Sequence, residues 1–149
     1  MRLVMHPPEE GAELMRREIR GFLGEGRRVI IVAYGLRTLD LLRDVISSER
    51  NVFLIPSFFT DFPTSLLLLA SSIKFREACL VDEIFGSYLR AVSSSPKPYE
   101  VQRSLIVLLG LIGTFEKQVG AFVSMHTSEA DVPDWFLKMF DSVENHWGG

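Results

Sequence analysis

Acidic side chains at the end of one apolar segment are the best candidates for chemistry in this chain. Asp82 and Glu83 directly follow Ala78-Cys79-Leu80-Val81, which has the composition of a buried strand. A carboxylate at the carboxyl end of a parallel strand can hold a magnesium-bound water, and a second one can act as a base. His126 follows a later apolar segment and could shuttle a proton at the same edge. The plainer interpretation, which we favour, is that Asp82 caps or bridges a neighbouring loop and that His126 has no catalytic role.

A phosphate-binding loop is not recognisable where the pattern of segments leads one to expect it. The G-x-x-x-x-G-K-[ST] signature needs glycines whose amides surround phosphate, a lysine and a hydroxyl group for magnesium. Gly35 fits the second glycine, but Ile30, Leu36 and Arg37 occupy the positions of the first glycine, the lysine and the hydroxyl. Thr38 offers a hydroxyl one residue late. Arg37 could still meet an anion at the start of a helix.

A basic cluster is the best candidate for contact with nucleic acid. Arg16, Arg17 and Arg20 share one side of a predicted helix, and Arg27 and Arg28 follow it. Glutamates are interleaved with these arginines, so a salt-bridged, exposed helix is at least as good an interpretation.

Metal binding and nucleophilic catalysis find little support. His6, His126 and His146 are scattered, and no pair has the close spacing of a zinc site. Cys79 is the single cysteine and lies within an apolar run, where a thiol is usually inert. We therefore assign no catalytic residue and no metal ligand, and ATP with magnesium is disfavoured as a cofactor.

The elements that would position these residues alternate between strand and helix, which is typical of an α/β domain. We predict one domain over residues 1–149, with a mostly parallel sheet between helical layers. The predicted strands are 29–33, 51–56, 78–81 and 121–125, and the predicted helices are 7–24, 36–48, 61–75, 99–119 and 132–143. Residues 86–91 stay ambiguous, and residues 145–149 form an edge strand or a loose tail.

Composition indicates an ordinary globular protein of 149 residues with 47% hydrophobic and 23% charged residues. The net charge of -3 gives no strong field for nucleic acid. No apolar run reaches the roughly 18 residues of a membrane span, and no secretory signal is visible. A single cysteine agrees with a cytoplasmic protein.

The ordered set of segments resembles the ATPase core of the RecA/RadA/KaiC superfamily from about Glu18 to Val143. Gly35-Leu36-Arg37-Thr38-Leu39 is similar to that family's G-K-T-T-L after the first core strand. Ala78 to Glu83 resembles its strand with the Walker B aspartate. Gln102 to Gly120 and Ala121 to Ser128 resemble its long helix and the following strand, whose end senses nucleotide.

The resemblance implies a truncated RadA-paralogue or KaiC-like protein with a degenerate P-loop. Such members act as accessory subunits in recombination and repair. Carried over residue by residue, it leaves as remnants of a nucleotide site Gly35, Arg37, Thr38, Asp82, Glu83 and His126. It also implies a recombinase or second paralogue as partner, with DNA as a further one.

Two helices are more apolar than contact with one sheet requires, namely those containing 66–70 and 105–112. A second subunit or a neighbouring helix of the same chain must cover the excess. The interface candidates are Leu67, Leu68, Leu105, Leu108, Leu109 and Ile112. Phe58, Phe59 and Phe62 could stack on bases or insert into a partner, although core packing is the commoner outcome.

We therefore expect a non-catalytic RecA-like accessory or assembly protein that forms a homo-oligomer or a hetero-oligomer with a RecA-family protein. Two alternatives stay open. One is a nucleotide-binding or nucleotide-hydrolysing enzyme with an unconventional site, and the other is a homodimeric scaffold without DNA contact. A membrane partner is not expected.

Overall fold

The structure is a computed structural model that describes residues 1–57, 61–74 and 76–148. Its centre is a six-stranded parallel sheet with the order β3-β2-β4-β5-β1-β6. The predicted α/β fold with a parallel sheet flanked by helices is confirmed. The strands are β1 (Arg2–Met5), β2 (Val29–Ala33), β3 (Val52–Pro56), β4 (Ala78–Val81), β5 (Phe122–Thr127) and β6 (Ser142–Asn145).

Helices cover both faces of this sheet. They are α1 (Gly11–Gly24), α2 (Leu36–Leu41), α3 (Arg43–Ser48), α4 (Phe62–Ser72), α5 (Ile84–Ser94), α6 (Pro98–Val119) and α7 (Asp134–Leu137), with a 3-10 turn at Pro8–Glu10. One core lies between the sheet and α1 with α3, and a larger one lies between the sheet and α4 to α7.

The sheet can hold two cores because its central strands are apolar on both faces. All residues of β2 and β4 are buried. Ile31 and Leu80 point towards α1, whereas Val32 and Val81 point towards the opposite helices. Cys79 is buried in β4 as predicted, and its burial raises the pKa of the thiol to about 12.

Several predicted helix ends are confirmed by their capping contacts. Asp61 precedes α4 and its side chain accepts a hydrogen bond from the Thr64 amide at 2.7 Å. Gly120 ends α6 with a φ of 66°, a left-handed conformation that glycine adopts without steric cost. The ambiguous residues 86–91 belong to α5, and Leu42 divides the single helix predicted for 36–48 into α2 and α3.

Strand β1 was missing from the sequence prediction, and its position is central to the fold. It pairs with β5 on one side and with β6 on the other. The amino group of Met1 is fixed by ion pairs with Glu116 at 2.5 Å and Asp141 at 2.6 Å. A segment of four residues carries little periodicity, so partners that are distant in sequence define this strand.

The helix predicted for residues 132–143 is wrong over most of its length. Residues 134–137 form α7, and the chain then continues into β6, which is the edge strand beside β1. The helical spacing of the aromatic residues arises from core contacts, because Phe136 and Phe140 are buried and Trp135 packs against the same core.

Candidate functional site

A cavity of about 230 Å³ opens at the carboxyl edge of the sheet, where ligands of α/β proteins usually bind. The turns after β1, β2, β4 and β5 surround it, together with the start of α1. All six residues predicted as remnants of a nucleotide site line this cavity: Gly35, Arg37, Thr38, Asp82, Glu83 and His126. The structure also adds residues that sequence reasoning missed, above all His6 and Arg90.

Asp82 links two neighbouring strands at this edge. It is 5% exposed, and its two carboxylate oxygens accept hydrogen bonds from the Tyr34 amide and the Thr38 hydroxyl, each at 2.5 Å. Burial raises the pKa of Asp82 to about 6, although both hydrogen bonds lower it. The carboxyl therefore joins the β2–α2 turn to β4, which is the bridging role that the plainer sequence interpretation assigned to it.

Glu83 has a left-handed backbone with a φ of 45°, which is uncommon for a residue with a side chain. Its carboxylate accepts hydrogen bonds from the amide of Ser128 at 3.1 Å, from the hydroxyl of Ser128 at 2.5 Å and from Thr127 Oγ1 at 3.2 Å. A β-carbon at Gly86 would lie 2.7 Å from Glu83 Oε1, so the glycine leaves room for this carboxylate. Glu83 thus fixes the loop after β5.

His126 lies within β5 and is 1% exposed. Its Nε2 is 2.7 Å from Glu18 Oε1, and Glu18 Oε2 also accepts a hydrogen bond from Arg2 at 2.7 Å. Burial opposes ionisation of Glu18, but the hydrogen bond and charge of His126 outweigh it and lower the pKa of Glu18 to about 2. The sequence carried no signal for this pair, because α1 and β5 are far apart along the chain.

His6 is the first residue after β1 and is 5% exposed. Its Nδ1 is 2.9 Å from the Pro7 carbonyl oxygen, and its ring centroid is 5.3 Å from that of His126. Burial lowers the pKa of His6. Two histidines that are 120 positions apart in the sequence therefore lie side by side, a proximity that their spacing along the chain did not indicate.

The turn that contains Gly35, which the sequence analysis compared with a P-loop, does not follow the first strand of the chain. Gly35 follows β2, the second strand, whereas the turn after β1 contains Pro7, Pro8, Glu9 and Glu10 before α1. Prolines lack an amide donor, and glutamates repel phosphate, so neither residue type suits a phosphate cradle. Gly35 itself has an extended backbone with a φ of -137°, which does not require glycine.

The basic cluster is partly committed to intrachain contacts. The Arg16 guanidinium donates to the carbonyl of Leu41 and lies 3.5 Å from Asp44 Oδ1, so it ties α1 to α2 and α3. The Arg27 side chain is 2.7 Å from Glu25 and packs over the Phe122 ring.

Arg28 lies at the opposite edge of the sheet from the cavity and is 3.6 Å from Glu77. Arg17 and Arg20 are exposed on α1, and within the part of the chain that the structure describes neither makes an ion pair. They are the members of the cluster that remain free for an anionic partner.

Half of the interface candidates prove to be core residues, which corrects the sequence prediction. Leu105, Leu109 and Ile112 are fully buried against the sheet and its helices. Leu108 is partly buried against the same core. Residues 105–112 are apolar on every side of the helix. The sequence alone therefore could not show which of them face the core and which face outwards.

Several exposed aliphatic side chains lie on α4 and α6, two helices that pack against each other. Leu67 and Leu68 of α4 are 57% and 42% exposed, as the interface prediction requires. On α6 the exposed aliphatic residues are Ile106, Val107 and Leu111, of which Val107 is 56% exposed. We call these five residues the α4–α6 apolar face.

Other candidate features are limited. Phe62 is buried in the core, and Phe58 and Phe59 lie outside the described residues. Within residues 1–57, 61–74 and 76–148, no group of three or more His, Cys, Asp or Glu side chains is placed to hold a metal ion. No helix among the described residues has the length and apolarity needed to cross a bilayer.

Comparison with known proteins shows similarity to distant solved structures and to no family model or curated protein. A solved structure of PCH-2 from C. elegans superimposes with a TM-score of 0.48 and 14% sequence identity over 96% of this chain. The chain spans about a third of the length of that protein, since the match covers 34% of it.

Proposed function

We propose that this chain is a non-catalytic α/β domain that acts by assembling with another protein chain through the α4–α6 apolar face. The observation that carries the proposal is the exposure of five large aliphatic side chains on two adjacent helices. Where exposed aliphatic side chains of neighbouring helices form one patch, that patch typically marks a contact site.

The arrangement at the sheet edge supports a non-catalytic role. The carboxylate oxygens of Asp82 and Glu83 accept hydrogen bonds from other groups of the chain. No lysine is among the described residues that line the cavity, and the turn after β2 lacks the glycine-rich P-loop signature. A phosphate there would meet Arg37 and Arg90 but not the lysine and the glycine-rich amides of a P-loop.

Under the RecA-like interpretation, the partner is a RecA-family protein or a second copy of this chain, and the setting is DNA recombination or repair. Arg17 and Arg20 are the side chains available for DNA in that setting. A homodimeric scaffold without DNA contact uses the same apolar face but leaves these arginines without effect.

Light scattering tests the proposal directly. The monomer has a mass of 16.9 kDa, and we expect a larger species for the chain alone or mixed with a purified RecA-family recombinase. Val107→Asp should abolish that species. Gln118→Asp is the matched control, because it adds the same charge at another exposed position of α6. A monomer in both solutions contradicts the proposal.

DNA contact is tested separately by fluorescence anisotropy with labelled single-stranded and double-stranded DNA. Substituting both Arg17 and Arg20 with alanine should weaken binding and reduce its salt dependence, because each phosphate contact releases counterions. If the double variant binds DNA as well as the unmodified chain does, or if the unmodified chain binds no DNA, the scaffold without DNA contact is favoured.

A second candidate function is binding or hydrolysis of a nucleotide at an unconventional site. The observation in its favour is the convergence of Gly35, Arg37, Thr38, Asp82 and His126 on one cavity. Thermal melting with ATP and magnesium tests it, because a ligand that binds the folded state raises the melting temperature. A melting temperature indifferent to nucleotide excludes this candidate.

A further inference from the structure

The two histidines beside the cavity have an arrangement that neither the assembly role nor a nucleotide site explains. The carbonyl oxygen of Pro7 can accept but not donate, so His6 Nδ1 carries the proton and Nε2 presents a lone pair. The Glu18 carboxylate likewise accepts from His126 Nε2, which makes Nδ1 the basic nitrogen of the neutral ring.

Both of the remaining ring nitrogens are buried without a partner. His6 Nε2 and His126 Nδ1 have no hydrogen bond among the described residues, although the two side chains are more than nine-tenths buried. Buried nitrogen atoms are normally satisfied, so two such atoms on adjacent rings indicate an interaction with a group outside the chain. Both residues line the cavity through which that group would enter.

We propose that His6 Nε2 and His126 Nδ1 together bind one divalent transition-metal ion. Imidazole nitrogen is a preferred ligand of zinc, copper and nickel. Histidines that bind metal usually donate their other ring N–H to a carboxylate or a backbone carbonyl, and here Glu18 and the Pro7 carbonyl oxygen take those two roles.

The separation of the rings is compatible with one shared ion. Two imidazoles that ligate an ion tetrahedrally at about 2.1 Å hold their centroids roughly 5 Å apart. The observed separation is 5.3 Å, with the ring planes inclined by 53°. Gly11 contributes to this placement, because a β-carbon there would lie 2.7 Å from His6 Cε1.

The ion would keep open coordination positions. The described residues supply no third ligand, so water or a group from a bound molecule must complete the coordination sphere. Open positions are typical of exchangeable or reactive metal sites rather than closed structural ones. The ion would therefore be accessible from the cavity, and its affinity should be below that of a four-ligand structural site.

Copper and zinc titrations of the full chain test this site. Isothermal titration with Zn²⁺ should give one equivalent, and electron paramagnetic resonance with one equivalent of Cu²⁺ should show coupling to two nitrogen nuclei. His6→Gln and His126→Gln should each weaken Zn²⁺ binding by more than the roughly tenfold that loss of an outer-shell partner costs, because each removes a ligand. His146→Gln is the control, because that histidine is partly exposed and bonds to Glu144.

Three results would overturn the proposal. These are no Zn²⁺ binding up to about 1 mM, a copper spectrum without coupling to two nitrogen nuclei, and loss of binding in His146→Gln but not in His6→Gln. Circular dichroism without metal checks that each variant folds. If His126→Gln does not fold because Glu18 loses its partner, the copper spectrum of the unmodified chain and the His6→Gln titration decide the question.

Discussion

His126 Nε2 lies 2.7 Å from Glu18 Oε1, although the two residues are 108 positions apart in the chain. The contact joins α1 to β5 across one face of the sheet. It leaves the His126 ring in a fixed orientation beside His6, and it holds a carboxylate charged in a largely buried position.

The charge of Glu18 should stabilise the fold in a pH-dependent way. Its pKa falls from 4.5 to about 2 on folding, so the folded state binds its proton less tightly. The contribution is present above pH 4.5 and is lost as the pH falls towards 2, with a size on the order of 3 kcal/mol. Glu18→Gln should reduce the free energy of unfolding at pH 7 and flatten its dependence between pH 4.5 and 2. Urea unfolding across this range checks the result, and the exposed Glu9→Gln is the control that should leave the curve unchanged.

Asp82 should have the opposite pH dependence. Its pKa rises from 3.8 to about 6 on folding, so the free energy of unfolding should decline as the pH rises through this window, by up to about 3 kcal/mol. Asp82→Asn should remove the decline, because an amide does not titrate. The fold should be retained, since the amide oxygen can still accept from Tyr34 and the amide nitrogen can donate to Thr38. Asp82→Ala should instead cost about 1–3 kcal/mol by leaving the Tyr34 amide without a partner. Unfolding curves at pH 4 and pH 7 distinguish these outcomes, and an Asn variant with the same pH slope as the unmodified chain would contradict the argument.

Two helical glycines should respond differently to alanine. In Gly86→Ala the new β-carbon would lie 2.7 Å from Glu83 Oε1, so the carboxylate must leave Ser128 and stability should fall by roughly 1–3 kcal/mol. Gly110→Ala meets no atom within 4 Å on α6 and should stabilise the chain by up to about 1 kcal/mol. Thermal unfolding of the two variants measures the contrast, and equal melting temperatures would mean that Glu83 does not depend on Gly86.

The two sides of α6 should separate stability from assembly. Leu109→Ala removes a fully buried side chain and should cost about 2–5 kcal/mol without changing the mass in solution. Val107→Ala, at a 56% exposed position, should change the free energy of unfolding by less than about 0.5 kcal/mol. Denaturant unfolding and light scattering on both variants check this. A Val107 variant as unstable as the Leu109 variant would place Val107 in the core.

The central strands could be predicted because β2 and β4 are continuous apolar runs, with Gly35 shortly after β2 and with Glu77 and Asp82 on either side of β4. Strands β1 and β6 could not, since each is a segment of four residues whose pairing partner lies far away in the sequence. The prediction of the cavity edge followed from the rule that parallel strands end on the same side. That rule could not predict the His6–His126 and Glu18–His126 contacts, because no spacing in the chain encodes them.

The sequence by itself determined the α/β class, the positions of the central strands and the absence of the P-loop signature after β2, because these depend on local composition and period. Tertiary structure decided which apolar residues of α6 face the core, the order of the strands in the sheet, and which histidines meet at its edge. Those features depend on pairings between distant segments. A one-dimensional pattern states that a side chain is apolar or titratable, but only packing supplies the neighbour that gives it a role.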